Sequence, residues 1–432
     1  MQGIRRDTND GMKTFTITTI GCKVNQYDSQ LIREALIRGG CRERGMGDSR
    51  ADVCIINTCA VTRTSEAKSR RAVRRAARQH PGAAIIVTGC CADSDPRGFG
   101  SLEGVTHVLG NRLKGRIARI VVGETAEEVR SVTGLSGRTR ALIKIQDGCD
   151  FACSYCIVPR VRGRSRSREP DDIIAEARTL VLRGHSEIVL TGIHLGSYGR
   201  DRGERSALER LIRALESMDD LARIRLSSIQ PREVTDELID IMASGGKLCP
   251  HLHIPLQSGD DRVLRAMGRA YSAADYRELV ERVRERVPDA SLTTDIMVGF
   301  PAETEDAFLR TREMVRHTGF SRVHIFPYSP RPGTAAWRLG DPVPERVKQR
   351  RRSELAEVAD EAAMAYRRRF VGKCVEVIVQ EPGGEPAEMW GGLSREYLRV
   401  SFEGKSICAG AVRRVRVEGI TAEGLRGRSE CC

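Results

Sequence analysis

The 432-residue chain contains no apolar run of about 18 residues, the length that a membrane-spanning helix requires. Its first residues, Met1 to Gly11, are polar and lack the apolar stretch of a secretory signal, which argues against export. Disulfides are therefore not expected. We expect the 14 cysteines to stay reduced in the cytoplasm and, where they cluster, to bind metal.

Lysine is also scarce, since 9 of the 71 basic residues are lysine and the other 62 are arginine. The net charge of +13 predicts a polyanionic partner, a nucleic acid before a membrane. Arginine suits such a partner because its guanidinium makes bidentate contacts with phosphate. The hydrophobic content of 40% is sufficient for real cores, and the length allows two or three domains.

Three cysteines with the spacing C-x3-C-x2-C follow an apolar strand, namely Cys149, Cys153 and Cys156. Three thiolates can hold three irons of a 4Fe-4S cluster, which leaves the fourth iron open to a ligand. The alternative is a structural zinc site, which is closed and needs a fourth ligand. No second C-x2-C or H-x3-H pair follows Cys156. The motif therefore favours a cluster over zinc or over three inert cysteines.

The region from residue 12 to residue 125 alternates short apolar runs with helical stretches. Strands are predicted at residues 14–18, 51–57, 84–88 and 105–109, and helices at residues 28–38 and 65–79. This alternation is typical of a parallel sheet with helices on its faces. In such open sheets, ligands bind beyond the carboxyl ends of the strands.

One cysteine follows each of the first three predicted strands: Cys22, Cys59 and Cys90. Because these strand ends share an edge of the sheet, we expect the three thiols to converge and to hold a second cluster. The alternative is three unrelated buried cysteines. Cys91 competes with Cys90, which is preferred because Gly89 lets the backbone bring it close.

Two further cysteines of this region are predicted to have no chemical role. Cys54 lies in the middle of a strand and is assigned to the core, and Cys41 lies in a glycine-rich turn. After a polar linker at residues 126–139, a second alternation runs from residue 140 to residue 370. Its six predicted strands, at residues 141–146, 187–191, 223–227, 251–254, 292–298 and 322–326, fit an open partial (β/α)6 barrel.

The loops after these strands are polar and rich in glycine. The residues in or beside them that we single out are Tyr155, Gly192, His194, Ser228, Gln257, Ser258, Asp295, Gly299, Phe326 and Tyr328. Several such loops on one barrel rim predict a ligand site, although each glycine alone could serve only a turn. His194 and His253 could be ordinary hydrogen-bonded histidines, and neither is assigned a catalytic role.

Five arginines repeat at period two after the cysteine loop: Arg160, Arg162, Arg164, Arg166 and Arg168. An extended chain would present all five on one side, where they could hold nucleic acid near the cluster. Internal salt bridges with Glu169, Asp171 and Asp172 are an equally good interpretation.

From residue 371 to residue 432, short segments alternate at period two, which is typical of a small antiparallel β-barrel. Its last predicted strand carries Arg413, Arg414 and Arg416, which suit phosphate contact. A solvated strand face is nearly as good an interpretation. No role is assigned to the tail cysteines, Cys431 and Cys432.

Together these motifs resemble the methylthiotransferase family of radical S-adenosylmethionine (SAM) enzymes over nearly the whole chain. The matching segments are Gly21-Cys-Lys-Val-Asn-Gln-Tyr-Asp-Ser29, Asn57-Thr-Cys-Ala-Val-Thr62, Lys68-Ser-Arg70, Val87-Thr-Gly-Cys90, Leu190-Thr-Gly-Ile-His194, Leu252-His-Ile-Pro-Leu-Gln-Ser-Gly259 and Val298-Gly-Phe-Pro-Ala-Glu-Thr304. One departure is Cys90-Cys91-Ala92-Asp93, where relatives tend to have Gly-Cys-x-Ala-Gln. It leaves the assignment of Cys90 in place, and only the surroundings of Asp93 are not predicted by the resemblance.

The resemblance implies an N-terminal flavodoxin-like domain with an auxiliary cluster (12–125), a linker (126–139), a radical SAM barrel (140–370) and an RNA-binding TRAM barrel with a tail (371–432). It also implies two 4Fe-4S clusters, on Cys22, Cys59 and Cys90 and on Cys149, Cys153 and Cys156. The ten rim residues become candidate contacts with SAM, and the arginines above become candidate contacts with tRNA. Further implied partners are an electron donor of flavodoxin or ferredoxin type and a sulfur donor, and we expect a monomer.

Within the family, Cys22-Lys-Val-Asn25 and Leu190-Thr-Gly-Ile-His194 are similar to the bacterial branch that modifies N6-threonylcarbamoyladenosine next to the anticodon. That branch transfers a methylthio group to C2 of the adenine and uses two SAM molecules. The target C–H bond has no acidic proton, which explains why no general base is evident. Three alternatives remain: action on isopentenyladenosine, action on a ribosomal protein side chain, and a non-radical iron–sulfur protein that binds RNA or transfers electrons.

Overall fold

The computed structural model describes residues 12–45, 50–124, 126–127, 129–134, 139–382, 389–404 and 407–430. The polar N-terminal segment, five residues of the predicted linker (128 and 135–138) and the tail cysteines Cys431 and Cys432 lie outside the described residues. The chain divides into two compact units. The first comprises Met1–Thr133, Asp147–Phe151 and Cys156–Ser165, and the second comprises Gly134–Gln146, Ala152–Tyr155 and Arg166–Cys432.

The first unit is built on a parallel sheet. Its elements are β1 (Thr14–Thr19), α1 (Lys23–Arg38), β2 (Arg42–Glu43), β3 (Val53–Thr58), α2 (Arg63–Gln79), β4 (Ala84–Gly89), α3 (Cys90–Ser94), α4 (Pro96–Gly100), β5 (Val105–Leu109) and α5 (Arg116–Val122). Within the described part of this unit, five strands pair in parallel in the order β2-β1-β3-β4-β5. This is the flavodoxin-like order, and it confirms the predicted fold class.

Helices on both faces explain why the central strands are apolar throughout. Every residue of β3 and β4 is buried. Alternate residues of β3 serve different cores, because Cys54 and Ile56 pack on one face of the sheet and Val53 and Ile55 on the other. The assignment of Cys54 to the core is thereby confirmed, and Cys41 is also buried in the core.

Both long helices of the first unit begin earlier than the sequence pattern predicts. α1 begins at Lys23, with Cys22 as its N-cap, and its first turns bury the polar Asn25 and Asp28. Buried polar residues hide the apolar periodicity from which a helix start is read. α2 begins at Arg63 because the Thr62 hydroxyl accepts a hydrogen bond from the Ser65 N–H at 3.1 Å.

Four short elements follow the linker: β6 (Arg140–Lys144), β7 (Gln146–Asp147), α6 (Val158–Arg162) and β8 (Arg166–Ser167). The loop that carries Cys149, Cys153 and Cys156 lies between β7 and α6. The second unit continues with α7 (Pro170–Leu182), β9 (Glu187–Thr191), α8 (Ala207–Glu216), β10 (Arg223–Leu226), α9 (Asp236–Ala243), β11 (His251–His253), α10 (Asp261–Ala266), α11 (Ala273–Arg286), β12 (Ser291–Val298), α12 (Glu305–Thr318), β13 (Arg322–Pro327) and α13 (Glu345–Arg368).

Among the described residues, six parallel strands of this unit follow one another as an open partial barrel. β6, β9 and β10 form one sheet, and β11, β12 and β13 form another. A parallel bridge between Ser228 and His253 joins the end of β10 to β11. The predicted partial (β/α)6 barrel is confirmed. In this architecture the carboxyl ends of the strands define the rim where ligands bind.

The C-terminal part of the second unit is a small closed barrel. Its described strands are β14 (Cys374–Pro382), β15 (Met389–Ser394), β16 (Arg399–Glu403), β17 (Val412–Ile420) and β18 (Gly424–Ser429), in the order β14-β15-β16-β18-β17. The pairing is antiparallel except between β16 and β18, which run parallel. The sequence pattern misses β15 and β18 because glycines interrupt them. A Cβ at Gly392 would lie 2.4 Å from Val377 Cγ1, so the barrel needs these glycines for close approach.

A buried charge cluster ties this barrel to the partial barrel within the second unit. Arg225 donates to Glu187 Oε1 at 2.7 Å and to the Arg395 carbonyl at 2.9 Å. Arg223 donates to Glu376 Oε1 at 2.7 Å, and Glu187 and Arg223 are fully buried.

No helix in the described part of the chain is long and apolar enough to cross a membrane.

Candidate metal centres

Three cysteines lie at one edge of the first unit's sheet. Cys22 is the N-cap of α1 and follows β1, Cys59 directly follows β3, and Cys90 is the first residue of α3 after β4. β1, β3 and β4 are neighbours in the parallel sheet. Their carboxyl ends therefore share an edge, and the strand order places the three cysteines at that edge.

The three thiols are close enough to influence one another. Burial raises the pKa of the Cys59 thiol to about 11, and negative charge on Cys90 and on Cys22 acts in the same direction. Gly21 makes the approach of Cys22 possible. Its φ is +106°, and a Cβ at this position would lie 2.9 Å from Cys59 Sγ. A side chain at position 21 would therefore collide with Cys59.

The neighbouring Cys91 has a different role from Cys90. Its thiol is fully buried and donates to the Cys59 carbonyl at 3.1 Å, and its N–H donates to Thr58 Oγ1 at 3.1 Å. Burial raises the pKa of Cys91 to about 12. Cys91 is therefore a hydrogen-bonded core residue, which favours Cys90 as the third ligand at this edge.

Asp93, where the chain departs from the family pattern, orders a turn next to Cys90. Its Oδ2 accepts from the Asn111 N–H at 2.8 Å and from Asn111 Nδ2 at 2.7 Å. Asn111 Nδ2 in turn lies 3.8 Å from Cys90 Sγ and donates to the Val161 carbonyl at 2.9 Å. Asn111 is a neighbour of the thiol that sequence analysis missed, because 21 residues separate it from Cys90.

Arg162 is buried in the first unit, where 2% of its surface is exposed. Its Nη2 donates to Asn25 Oδ1 at 2.5 Å, and its Nη1 donates to Asp147 Oδ1 at 2.9 Å and lies 3.6 Å from Asp28 Oδ2. Burial lowers the pKa of Arg162, but the charges of Asp147, Cys90, Asp28 and Cys22 outweigh it and raise the pKa above its usual value. The guanidinium is therefore a fixed positive charge near the thiols.

The predicted extended ribbon of five arginines is wrong in its geometry. Arg160 and Arg162 lie in α6, a helix, so the period of two does not place the five side chains on one side. The helix forms because Ile157 and Val161, four residues apart, both pack in the core of the first unit. Arg160, Arg164 and Arg166 are exposed, while Arg168 donates to Glu176 Oε2 at 2.6 Å.

The expected internal salt bridges of the ribbon also have different partners. The predicted acids are Glu169, Asp171 and Asp172. The observed acids are Asp147 and Asp28 for Arg162 and Glu176 for Arg168. They lie eight or more residues away in sequence, and the fold brings them close. Contact of Arg162 with RNA stays a prediction, and the burial of this side chain argues against it.

The three cysteines of the C-x3-C-x2-C motif are assigned to different units: Cys149 and Cys156 to the first and Cys153 to the second. In the first unit, the Cys149 N–H donates to the Gly163 carbonyl at 3.0 Å. The Phe151 N–H donates to Cys149 Sγ at 3.4 Å, which stabilises a thiolate there. Gly148 has a φ of +79°, and a Cβ there would lie 2.0 Å from the Arg164 carbonyl. This start of the loop needs glycine.

In the second unit, Cys153 faces a cationic neighbour. Arg269 Nη1 donates to Cys153 Sγ at 3.3 Å, and Arg269 Nε donates to the Tyr271 hydroxyl at 3.0 Å. The adjacent Ser154 is fixed by its N–H to the Met267 carbonyl at 2.9 Å. Arg269 is not among the residues predicted from sequence, because nothing in the local pattern after α10 shows that this turn packs against a loop more than a hundred residues earlier.

Polar side chains meet at the carboxyl rim of the partial barrel. Gln257 has a φ of +66°, and its buried Oε1 has no hydrogen-bond partner among the described residues. Its N–H donates to the Asp295 carbonyl at 2.8 Å. His253 Nε2 lies 3.3 Å from Asp295 Oδ2, and His253 Nδ1 lies 2.9 Å from Thr293 Oγ1. A strained residue with an unsatisfied buried oxygen points to a ligand at this rim.

The side chains of other candidate rim residues make contacts with protein groups of the second unit. His194 Nε2 lies 2.5 Å from Glu233 Oε1, Ser258 Oγ lies 3.3 Å from Thr311 Oγ1, and the Tyr328 hydroxyl donates to the Ala336 carbonyl at 3.0 Å. Gly299 is needed because a Cβ there would lie 2.4 Å from Lys348 Cγ.

The remaining rim candidates also have structural contacts. A Cβ at Gly192 would lie 2.9 Å from Gln146 Oε1, and Ser228 forms the bridge to β11. Tyr155 and Phe326 pack against an apolar cluster that includes Met267.

The basic strand of the closed barrel is β17. Arg414 and Arg416 alternate with the buried Val415 and Val417, so both point outward, and Arg413 is half-buried. Arg416 Nη2 lies 2.9 Å from Glu430 Oε1, so part of its charge is balanced locally. Arg414 is the more available of the two for phosphate.

Both donor sets consist of cysteine thiols, the ligands that hold iron–sulfur clusters. Across the described ranges, no three or more His, Cys, Asp or Glu side chains are grouped so that they could share one ion. At the first edge, the fixed charge of Arg162 and the orphaned Nε of that residue also fit an anionic sulfur-rich group.

Two family models match the chain. The model described as the radical SAM superfamily matches residues 143–315, and the one described as uncharacterized protein family UPF0004 matches residues 14–110. The first match covers the cysteine loop and the partial barrel from the end of β6 through β12, and the second covers the flavodoxin-like sheet with Cys22, Cys59 and Cys90.

Curated relatives extend the similarity to nearly the whole chain. The threonylcarbamoyladenosine tRNA methylthiotransferase MtaB of Thermotoga maritima is 40% identical over 428 residues, 96% of each chain. The protein of the same name from Bacillus subtilis is 36% identical over 425 residues, 94% of each chain. The tRNA-2-methylthio-N(6)-dimethylallyladenosine synthase of Salinispora arenicola is 36% identical over 93% of this chain and 84% of that protein.

Among solved structures, the radical SAM methyltransferase TsrM of Kitasatospora setae has a similar fold. Its TM-score is 0.53 at 15% sequence identity, over 74% of this chain and 77% of that one. At this identity the likeness concerns the fold alone.

Proposed function

The chain belongs to the radical SAM methylthiotransferase family that modifies tRNA, and on that premise we propose that it transfers a methylthio group to C2 of N6-threonylcarbamoyladenosine. The observation that carries the proposal is the similarity to proteins named for this reaction, at 36–40% identity over almost their full length. The segment Cys22-Lys-Val-Asn25 supports the same branch of the family.

We infer two 4Fe-4S clusters, one on Cys149, Cys153 and Cys156 and an auxiliary cluster on Cys22, Cys59 and Cys90. When bound, SAM and the first cluster supply the chemistry that activates an unreactive C–H bond, and the auxiliary cluster supplies sulfur. The chain's own residues hold and tune these groups. Arg269 donates to the Cys153 thiolate, and the Phe151 N–H donates to Cys149, so both thiolates are stabilised in their charged form.

At the barrel rim, Gln257 and Asp295 are the proposed SAM contacts with the best support. Gln257 offers a buried amide oxygen that needs a donor, which suits an ammonium or a ribose hydroxyl. Asp295 is part-exposed beside His253 and can accept hydrogen bonds from a ligand. The contacts proposed for His194, Ser258 and Tyr328 have weaker support, since these side chains also contact protein groups.

The proposed tRNA contacts are the exposed Arg160, Arg164 and Arg166 and the outward-facing Arg414 and Arg416. The net charge of +13 supports a polyanionic substrate. An electron donor, a sulfur donor and a monomeric state remain proposals that follow from the family.

Mass spectrometry of nucleosides from the tRNA of cells that lack this chain tests the substrate. The expected result is loss of the 2-methylthio form of N6-threonylcarbamoyladenosine and accumulation of the unmethylthiolated nucleoside. Re-expression of the intact chain should restore the modification, and re-expression of Cys153→Ala should not. A normal level of that nucleoside in the deletion strain would contradict the proposal.

The second candidate substrate is isopentenyladenosine. It is favoured by the Salinispora arenicola relative, which is 36% identical and carries a dimethylallyladenosine name. The same mass spectrum separates the two, because each 2-methylthio nucleoside has its own mass. If the deletion strain keeps both 2-methylthio nucleosides but a ribosomal protein loses its modification, the chain would instead act on a ribosomal protein side chain.

A further inference from the structure

Arg162 is an unusual residue to find at the edge of the sheet where Cys22, Cys59 and Cys90 lie. A guanidinium that is almost fully buried gives up its hydration, so each of its N–H groups needs an acceptor. Asn25 accepts from Nη2 and Asp147 accepts from Nη1. The Nε–H is also buried, and no described residue accepts a hydrogen bond from it.

The charges of the side chains around Arg162 balance without the thiols. Asp28 is shared, because Lys114 Nζ lies 2.7 Å from its Oδ2 while Arg162 Nη1 lies 3.6 Å away. Two cations, Arg162 and Lys114, thus face two carboxylates, Asp28 and Asp147. Three thiolates with their cluster add further negative charge at the same edge, and the charges of Cys90 and Cys22 act on Arg162.

We propose that Arg162 is a hydrogen-bond donor to the auxiliary cluster, with its Nε–H donating to a sulfur of that cluster. Asn25 and Asp147 hold the other end of the guanidinium, so the orphaned donor is fixed in place by the first unit's own residues. Hydrogen bonds to sulfur and nearby charge set the reduction potential of iron–sulfur clusters. This inference rests on the proposed function, because it assumes an auxiliary cluster on Cys22, Cys59 and Cys90.

The competing explanation is that Arg162 only ties α6 to α1 and to β7, through Asn25 and Asp147. A purely structural tie would leave the cluster's electronic properties untouched. A residue that donates to a cluster sulfur carries electron-spin density onto its nitrogen and raises the potential. Two spectroscopic measurements therefore separate the explanations, and neither depends on catalytic activity.

The first measurement uses the full chain with Cys149, Cys153 and Cys156 replaced by Ala, so that any cluster present is the auxiliary one. The protein is labelled with ¹⁵N-arginine, reconstituted with iron and sulfide, reduced, and examined by pulsed electron paramagnetic resonance. We expect a ¹⁵N coupling to the cluster that is absent in unlabelled protein and lost in Arg162→Lys. A reduced cluster without this coupling would overturn the inference. Failure to bind iron would instead contradict the auxiliary cluster itself.

The second measurement compares reduction potentials in the same background. We expect Arg162→Gln to lower the potential and Arg162→Lys to lower it less, because lysine keeps the charge but not the Nε–H. Arg78→Gln, which removes one exposed charge from the last turn of α2, is the matched control and should leave the potential unchanged. Equal potentials for the original residue and Arg162→Gln would refute the role. If Arg162→Gln does not keep its cluster, the ¹⁵N coupling in protein with Arg162 decides.

Discussion

Arg269 Nη1 donates a hydrogen bond to Cys153 Sγ at 3.3 Å within the second unit. This pair links the C-x3-C-x2-C motif to the turn after α10. A charge-assisted hydrogen bond to a thiolate lowers the free energy of the ionised, iron-binding form of cysteine. The relationship gives Cys153 a defined electrostatic environment and leads to the first prediction.

Replacing Arg269 with Ala should weaken the cluster on Cys149, Cys153 and Cys156. The loss of a hydrogen bond to a charged group costs about 1.5–3 kcal/mol, which corresponds to about a 10- to 100-fold fall in reductive SAM cleavage. The assay measures 5′-deoxyadenosine formed with dithionite as the reductant. Arg265→Ala, an exposed change on α10, is the control. Equal rates for Arg269→Ala and this control would show that the hydrogen bond has no functional weight.

The two adjacent cysteines after β4 should differ in their effect on iron content. Cys90→Ala should remove the auxiliary cluster and about half of the reconstituted iron. Cys91→Ala should keep the full iron content, because the Cys91 thiol donates to the Cys59 carbonyl and lies in the core. Iron and sulfide analysis of the two purified variants checks this. Iron loss in Cys91→Ala with none in Cys90→Ala would reverse the assignment.

The buried Glu187 should contribute strongly to the stability of the second unit. Burial opposes ionisation, but Arg225, with Arg140 and Arg223, holds the pKa of Glu187 below its usual range. Breaking such a buried pair costs about 3–5 kcal/mol, so Glu187→Gln should lower the free energy of unfolding by about that amount at pH 7. The measurement is urea denaturation.

The contribution of Glu187 to the free energy of unfolding should depend on pH, because the pKa of this carboxyl is lowered in the folded state. A carboxyl whose pKa is lowered in the folded state stabilises the fold above its unfolded pKa of about 4.3. The contribution is lost as the pH falls through the lower folded pKa. The difference between the original chain and Glu187→Gln should therefore shrink below about pH 4. The control is Glu278→Gln, on the exposed face of α11. Its free energy of unfolding should equal that of the original chain both at pH 7 and below about pH 4.

The exposed arginines of the segment after the cysteine loop should contribute to tRNA affinity. Replacing Arg160 and Arg164 with Gln should weaken binding, and the salt slope of log K should fall by about one for each phosphate that the variant no longer neutralises. Filter binding at several salt concentrations measures both quantities. Arg213→Gln, exposed on α8, serves as the control. Affinity that is unchanged at low and at high salt would exclude these two residues from the interface.

The positions of Cys22, Cys59 and Cys90 could be foreseen from sequence, because neighbouring parallel strands end at one edge of a sheet. Local apolar patterns likewise predicted most strands of both units. These patterns did not predict elements that contain residues untypical of them, namely glycine within a strand and buried polar residues at the start of a helix. Glycines that permit close approach hid β15 and β18, and buried polar residues such as Asn25 hid the start of α1.

The environment of the candidate centres was harder to foresee. The period-two arginines suggested an extended ribbon, whereas Ile157 and Val161 drive a helix and Arg162 is buried with Asn25 and Asp147. Arg269 reaches Cys153 across 116 residues of chain. Such contacts depend on tertiary packing, and no local sequence pattern encodes them.

The most direct test of the account is a two-product assay that follows 5′-deoxyadenosine and methylthiolated tRNA together. For Cys59→Ala, we expect continued SAM cleavage and no methylthio transfer, because the auxiliary cluster is lost while the other remains. For Cys153→Ala, we expect neither product. Each variant is first checked for solubility and for retention of its other cluster, since metal binding and folding are linked. A folded Cys59→Ala variant that methylthiolates tRNA at the full rate would contradict the account.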